Sequence, residues 1–366
     1  MTINYITNYP FSTFLYISIV IITTLLSSIA SRISKKNIQI IMVLFIVLIL
    51  SLFSGFRGAS VGTDTVRYFN HIFNWQNNIA NIYPTEPGLR FLSKFSNLIV
   101  QGPQFTILVV AVITNALIVF RLWTLRSYIS FSFAIFIYTT TYYAMTFSGI
   151  RQWIAVAIIF FGSKYIFKLK YVKFSIIVLI ASLFHNTAIL ALILPILDML
   201  SSKFKYKKQR LIFALLIFLS PLLLGGIIII ESKINLLNQY SGYFKNINWS
   251  NSTGIVIWVK LIIGLLLYLF FNKKKFYDPD FYVRIYNVYF CGLLISLPGF
   301  YILNLSRIGL YFTIFETIMF ALIVKSKDKM RSLFFTIIIG TFSTLLFILE
   351  LSGSGRGHVP YIPFWK

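Results

Sequence analysis

Cysteine and acidic residues are scarce in this sequence. A single cysteine, Cys291, occurs in 366 residues, which excludes a disulfide within the chain. Only nine residues are Asp or Glu, and those expected outside a membrane are not neighbours in sequence, so a metal site of clustered carboxylates is weakly supported. The chain also lacks Ser/Gly-rich or Pro-rich linkers, internal repeats and any nucleotide-binding fingerprint. We therefore expect one domain over residues 1–366, with no metal and no cofactor.

Apolar residues make up most of the chain. It is 58% hydrophobic and 11% charged, with a mean hydropathy of +0.83, more apolar surface than a water-soluble core of ordinary proportions can bury. We predict an all-α, polytopic membrane protein with about twelve spans, or ten if a short hairpin, 174–184 and 187–200, does not cross. The longer predicted spans are 10–30, 38–55, 104–121, 130–148, 150–167, 211–230, 255–271, 281–298, 308–324 and 332–350.

The net charge of +24 would suggest a nucleic-acid partner for a soluble protein, but the basic residues follow the predicted spans. Six Lys/Arg clusters fall between alternate spans, and the positive-inside rule places all six on the cytoplasmic face. Both termini are therefore predicted outside, and no nucleic acid is expected as a partner. The clusters are Arg32 to Lys36, Arg121 and Arg126, Lys164 to Lys173, Lys203 to Arg210, Lys273 to Lys275, and Lys325 to Arg331.

The outer face collects the side chains best suited to chemistry. Arginine is more frequent there, relative to lysine, than in the cytoplasmic clusters, and a planar guanidinium grips phosphate or carboxylate oxygens with two hydrogen bonds. Two loops are predicted on this face, at 56–88 and 231–253, and the second interleaves amides with aromatic rings, a mixture that suits sugars. Residues 88–100 are typical of an interfacial or re-entrant helix. All three histidines also map there: His71, His185 and His358.

Each candidate residue also has a structural alternative. Arg151 opens a predicted span and is either functional or a helix-end cation that reaches the membrane surface. Asp64 suits a turn or a helix N-cap as well as catalysis, and His185 could instead bind backbone carbonyls at the hairpin tip. The aromatic residues near 240–250 are typical of a membrane-surface belt as well as of sugar binding.

Short motifs occur in a fixed order along the chain. They are FR ending at Arg57, GTD at 62–64, Tyr68, EPG at 86–88, SGIRQ at 148–152, FHNTA at 184–188, RIGLYF from Arg307, and VPY at 359–361. Over residues 50–365 this order resembles the EpsG-type, Wzy-like polysaccharide polymerases of bacteria. Asn186 and Thr187 stand where that family often has Pro and Ser after the histidine.

The resemblance implies a GT-C-like glycosyltransferase with many spans in the bacterial plasma membrane. It would polymerise oligosaccharide repeat units carried on a polyprenyl diphosphate such as undecaprenyl diphosphate, on the outer, periplasmic face. The product would be an O-antigen, a capsule or an exopolysaccharide. A sugar hydroxyl of one repeat attacks the anomeric carbon of another and the lipid diphosphate leaves, so no nucleotide is needed. The implied partners are the lipid-linked oligosaccharide, the bilayer and a chain-length regulator.

That reaction needs a proton acceptor and cations for the leaving diphosphate. We expect His185 as the acceptor, with Asp64 as an alternative base or as a partner that aligns Arg57 or Arg67. Arg57, Arg151 and Arg307 would bind the diphosphate, and Arg151 also counts as catalytic. The expected sugar-binding residues are Arg67, Tyr68, Glu86, Tyr240, Tyr243 and Trp249.

Two other activities stay open at this point. A flippase for the same lipid-linked oligosaccharide would need polar groups along a path across the bilayer, which the sequence does not plainly show. An O-antigen-type ligase or a membrane acyltransferase would use neighbouring chemistry. Gene loss should leave single repeats on the surface for a polymerase, no surface repeats for a flippase, and untransferred long chains for a ligase.

Overall fold

The computed structural model describes residues 4–77, 79, 86–203, 252–269, 274, 276–297, 307–352 and 357–365. The predicted span at 211–230 lies outside these residues, as do Tyr240, Tyr243 and Trp249. Of the predicted loop at 231–253, only the last two positions are described.

The fold is built of helices, in agreement with the all-α prediction. The described residues contain no strand beyond an isolated bridge between Arg57 and Pro363. The α-helices are α1 Asn4–Asn8, α2 Pro10–Arg32, α3 Lys36–Gly55, α4 Thr65–Gln76, α5 Pro87–Ile99, α6 Pro103–Thr124, α7 Phe131–Ile137, α8 Ile150–Ile166, α9 Tyr171–Ser182, α10 Ile193–Lys203, α11 Ser252–Leu269, α12 Pro279–Ser296, α13 Leu310–Thr313, α14 Glu316–Val324 and α15 Lys329–Ser352.

Five helical segments within the described ranges are long and apolar enough to cross a bilayer. They are Pro10–Arg32, Lys36–Gly55, Pro103–Thr124, Arg307–Val324 and Lys329–Ser352. A multi-pass membrane protein is therefore supported, while the count of about twelve spans stays a prediction. Helix α9 has 12 residues, and at 1.5 Å per residue it measures about 18 Å, shorter than the roughly 30 Å hydrocarbon core.

The predicted span at 130–148 is not one regular helix. Helix α7 ends at Ile137 and continues as a π turn, Tyr138–Tyr142, and a 3₁₀ turn, Ala144–Phe147. The hydroxyls of Thr139 and Thr140 donate back to the carbonyls four residues earlier, at 2.9 and 2.7 Å. Such bonds compete with the regular backbone ladder and bend helices, which explains the break.

The described chain forms two compact units. The first comprises residues 1–189 and 316–366, and the second comprises residues 190–315. In the second unit, Arg284 binds Asp198 through two hydrogen bonds of 2.5 and 2.7 Å, and the Asp278 side chain caps α12 by accepting from the Phe281 amide. The expectation of one domain over residues 1–366 stays a prediction.

The first unit has two chemically different ends. At one, Gln104 at the start of α6 donates to the carbonyl of Arg57 (3.2 Å), and Arg57 donates to the carbonyl of Phe147 (2.9 Å). We call this the motif end, because it gathers segments that the sequence places outside. At the other, the basic end, Lys325 donates to the carbonyl of Arg126 (2.6 Å). The helix ends that the basic clusters predict on one side of the membrane thus lie together in the first unit.

The C-terminal segment packs on the motif end. The Gly58 amide donates to the carbonyl of Ile362 (2.7 Å), and the Phe364 amide donates to the carbonyl of Phe56 (2.9 Å). The ring of Tyr361 stacks on Phe53 with centroids 4.0 Å apart. These contacts fix the residues around Arg57 from the C-terminal side.

A small hydrophobic core lies beneath the motif end. It joins α4, α5, α6 and α8, and it packs these helices against one another where their polar residues project. Its buried members are Tyr68, Ile72, Trp75, Leu89, Ile107, Val110, Ile150 and Ile154.

Candidate functional site

Glu86 links two of the predicted catalytic side chains. Its Oε1 lies 3.2 Å from Nδ1 of His185, and its Oε2 accepts a hydrogen bond from Nη1 of Arg151. Arg151 and His185 are 65 and 99 positions away from Glu86 in sequence. The sequence predicts that these three segments share one face of the membrane, and the fold brings them into contact.

Exposure differs within this group. The Glu86 side chain is 7% exposed, whereas those of Arg151 and His185 are 32% and 25% exposed. The carboxylate thus lies below the surface and holds two partly accessible side chains. We call Tyr68, Glu86, Arg151 and His185 the Glu86 cluster.

Two glycines allow this arrangement. The Gly88 amide donates to the carbonyl of Leu183 (2.8 Å), and a Cβ at Gly88 would lie 2.9 Å from that oxygen, so only glycine permits the approach of α5 to the turn before His185. Gly149 has a φ of +69°, in the left-handed region that glycine adopts without strain. It ends the irregular segment and starts α8, whose second residue is Arg151.

Tyr68 completes the cluster from α4. The Arg151 guanidinium lies over its ring, 5.6 Å from the centroid, and the two side chains also share a hydrogen bond. Tyr68 itself is 6% exposed and belongs to the core beneath. It therefore supports Arg151 from below, by a cation–π contact as well as a hydrogen bond.

Opposing effects set the pKa of Glu86. Burial alone would raise the pKa of its carboxyl, but the hydrogen bond with His185 and the charge of Arg151 outweigh burial and hold the pKa below its ordinary value. The group is therefore an anion at neutral pH. A carboxylate that accepts a proton-bearing Nδ1 fixes the imidazole ring and leaves Nε2 as the free acceptor.

The cluster has the parts of a general base with a cation beside it. The Nε2 atom of an imidazole oriented in this way can take a proton from a hydroxyl, and the partly exposed guanidinium of Arg151 can stabilise a neighbouring anion. Among the described residues, no three His, Cys, Asp or Glu side chains lie close enough to hold a metal ion together.

A family model described as the EpsG family matches residues 40–363. The chain belongs to the EpsG family. The resemblance read from the motifs is thereby confirmed, and EpsG membership supports a membrane protein that polymerises polysaccharide. No curated protein and no solved structure matches the chain.

The EpsG-family motifs within the first unit contact one another. Besides the Glu86 contacts, which join EPG to SGIRQ and FHNTA, the Thr63 amide of GTD donates to Oγ of Ser148 in SGIRQ (3.1 Å). The hydroxyl of Tyr361 in VPY donates to the carbonyl of Phe53 (2.8 Å). GTD, EPG, SGIRQ and FHNTA thus contact one another at the motif end, and VPY packs beside the residues before Arg57.

Arg57 lies in a different setting from Arg151. Arg57 is 1% exposed. Its guanidinium donates to the carbonyls of Ser54 and Phe147 and lies 5.1 Å from the Phe147 ring centroid. Burial lowers the pKa of Arg57 to about 10. These contacts tie the end of α3 to the segment before α8, and diphosphate binding by Arg57 stays a prediction.

The other predicted residues lie in three settings. Asp64 is half-buried at the N-cap position of α4, although its side chain makes no capping hydrogen bond, and Arg67 is exposed one turn later. Arg307 is exposed and belongs to the second unit. The roles given to Asp64, Arg67 and Arg307 stay predictions.

One close pair of side chains has no role predicted from the sequence. Nδ1 of His358 lies 2.9 Å from Oε1 of Glu350, and His358 is 1% exposed. The hydroxyl of Tyr16 donates to the carbonyl of His358 (2.9 Å), so this pair fixes the C-terminal segment to α2 and α15. The signal available in the sequence was Glu350, a carboxylate at the outer end of a predicted span.

Proposed function

We propose that this EpsG-family protein polymerises oligosaccharide repeat units carried on a polyprenyl diphosphate, at the outer face of the bacterial plasma membrane. One observation carries the proposal: Glu86 holds His185 and Arg151 side by side at the motif end. The reaction needs a base for the attacking hydroxyl and a cation for the leaving diphosphate, and these two side chains supply both.

The proposed step transfers a glycosyl chain between lipid carriers. A hydroxyl oxygen of the acceptor repeat bonds to the anomeric carbon of the donor, and the bond from that carbon to the diphosphate oxygen breaks. The hydroxyl proton moves to Nε2 of His185, and the bonding electron pair leaves with the lipid diphosphate. Donor activation is already present in the diphosphate, so no nucleotide takes part.

Glu86 acts in this scheme through its neighbours. Its buried carboxylate orients the His185 ring and stabilises the imidazolium formed when the proton arrives. It also holds Arg151, whose partly exposed guanidinium would stabilise the charge that collects on the diphosphate oxygens. Glu86 is therefore a positioning residue in the proposal, in place of the sugar contact expected from the sequence.

The remaining assignments complete the proposal. Arg307 and Arg57 are the further diphosphate ligands expected from the sequence, and Asp64 is the alternative base. Sugar binding is assigned to Arg67, Tyr68, Tyr240, Tyr243 and Trp249. Tyr68 contacts Arg151 and so lies next to the proposed reacting groups. The reaction is proposed to need no metal ion, and a chain-length regulator is proposed as a partner.

Reconstitution with the lipid-linked repeat tests the proposed function. The purified protein in liposomes should convert single repeats into a ladder of longer lipid-linked chains, with and without a chelator. Repeats that cross the bilayer without lengthening would instead show a flippase, and transfer of finished chains to a second acceptor would show a ligase. A ladder that disappears with the chelator would overturn the metal-free reaction alone.

A further inference from the structure

A cavity opens at the basic end of the first unit. Its volume is about 580 Å³, within the range of roughly 300–1,000 Å³ typical of small-molecule sites. The last turn of α6 reaches this cavity through Trp123, whereas the first turn of α6 lies beside Arg57 at the motif end. The cavity is therefore separate from the Glu86 cluster by the length of α6.

The charge of the cavity lining has one sign. Arg126 and Lys325 line it, together with Gln39 and four serines, and among the residues that the structure describes no Asp or Glu does. The Lys325 ammonium donates to the carbonyls of Arg126 (2.6 Å) and Ser127 (2.8 Å), which leaves one of its three donors for a ligand. Burial lowers the pKa of Lys325, so an anion beside it would relieve a cost that the fold already bears.

Trp123 holds Arg126 in place. The Arg126 guanidinium stacks on the Trp123 ring, 4.1 Å from the centroid, and Nη1 donates to the Trp123 carbonyl (3.2 Å). Arg126 is exposed. A planar cation fixed on an aromatic ring is suited to phosphate oxygens.

The rest of the lining is apolar, from Trp123, Ile129, Phe131 and Val324. Ser31 and Gln39, which also line the cavity, lie near the ends of α2 and α3, two helices long and apolar enough to span a bilayer. A cavity at the ends of such helices meets the membrane interface, where ligands carry a charged head and an apolar body.

We propose that the cavity between Arg126 and Lys325 binds the phosphate headgroup of an anionic diacyl phospholipid. The phosphate lies between the two cations, the Ser127 hydroxyl donates to one of its oxygens, and the acyl chains follow the exposed apolar side chains of α3, such as Ile41 and Phe45. The exposed Lys35 and Lys36 between α2 and α3 add attraction for the same anionic surface. This inference does not depend on the proposed polymerase reaction.

Native mass spectrometry of the full-length protein tests it. The protein is purified with phosphatidylglycerol and phosphatidylcholine at equal concentration, and the lipids that it retains are counted. Wild type should retain phosphatidylglycerol selectively, and Arg126→Gln, a change at an exposed residue, should cut this retention roughly tenfold because one charge-assisted contact is lost. Lys325→Gln should act similarly, and Ser132→Phe, which fills the cavity and keeps both charges, should also reduce retention. Lys173→Gln, which removes an exposed cation on α9 outside the lining, is the matched control.

Two competitors separate the possible sources of the anion. Glycerol 3-phosphate and a poly-glutamate peptide, each added in excess, should leave the bound phosphatidylglycerol in place. Displacement by the first would show a site for soluble phosphate, and displacement by the second would show a site for an acidic protein segment. Either result overturns the lipid assignment, as does equal retention by wild type, Arg126→Gln and Ser132→Phe.

Discussion

At the scale of single residues, Glu86 supplies the negative charge of the candidate site. Its carboxylate faces both His185 and Arg151, so removing it changes two contacts at once. The sequence singled out all three residues but gave Glu86 a sugar contact. Spacing along a chain does not show which carboxylate lies between two other groups, because that depends on how α5 packs against α8 and the turn after α9.

The lowered pKa of Glu86 makes part of the stability depend on pH. A carboxyl whose pKa is lower in the folded than in the unfolded protein stabilises the fold fully above its ordinary value of 4.5, and this contribution is lost as the pH falls through the lowered value. We expect Glu86→Gln to unfold at lower temperature than wild type at pH 7, with a difference that shrinks below pH 4.5. Thermal unfolding of the solubilised protein across this range measures it.

Asp280→Asn is the control for this prediction, since it removes an exposed carboxylate at the start of α12. The interpretation of Glu86 fails if its substitution gives the same unfolding temperature as wild type at pH 7, or if Asp280→Asn lowers that temperature equally at pH 7.

Arg57 and Arg151 should respond differently to the same substitution. Arg57→Gln removes buried charge-assisted bonds, each worth about 1.5–3 kcal/mol, so we expect a lower unfolding temperature and poor yield. Arg151→Gln alters a partly exposed group, and we expect a near-normal yield with a rate of polymer formation lower by roughly tenfold to 150-fold. An unchanged unfolding temperature in Arg57→Gln would contradict this structural role and leave Arg57 only the diphosphate contact proposed for it.

At the scale of helices and turns, the contact between α5 and the turn after α9 positions the cluster. Gly88→Ala would place a methyl group 2.9 Å from the Leu183 carbonyl and about 3.0 Å from the Phe184 ring, so one of the two segments has to move. We expect this variant to lose most polymerising activity, because Glu86 and His185 lie on the two displaced segments. Chain length of the surface polymer measures the loss.

Gly340→Ala supplies the matched control. Gly340 lies inside α15 with nothing within 4 Å of an added Cβ, so alanine should be neutral or stabilise the helix by roughly 0.5–1 kcal/mol. Normal chain length in Gly88→Ala would show that the close approach of these segments is not needed for activity.

Long apolar helices were predictable from the sequence, and irregular ones were not. The bounds of α2, α3, α6 and α15 lie within a few residues of the predicted spans because about 20 successive apolar residues have few alternatives in a bilayer. The break after Ile137 was missed, because it depends on hydroxyls that bond back to the backbone in an otherwise apolar run. His185 was placed at a turn correctly, but its partner required the packed structure.

At the scale of the whole molecule, we expect the basic end of the first unit to face the cytoplasm and the motif end to lie outside. Asn77 is exposed next to the motif end and Ser127 is exposed at the basic end. In a Cys291→Ser background, we expect a membrane-impermeant maleimide to label Asn77→Cys in intact cells and Ser127→Cys only after permeabilisation, as the positive-inside rule requires. Labelling with the reverse sidedness would put the Glu86 cluster on the cytoplasmic face and contradict polymerisation outside.

The most direct test of the account is the rate of polymer formation by purified variants of the Glu86 cluster. We expect His185→Gln to lower the rate by roughly 10²–10⁴-fold and Glu86→Gln by roughly 10–100-fold. Because Glu86 acts through His185, the double variant should lose less than the product of the two single effects. His71→Gln, a change on α4 outside the cluster, should keep the wild-type rate. A wild-type rate in His185→Gln, or fully multiplicative losses in the double variant, would contradict the account.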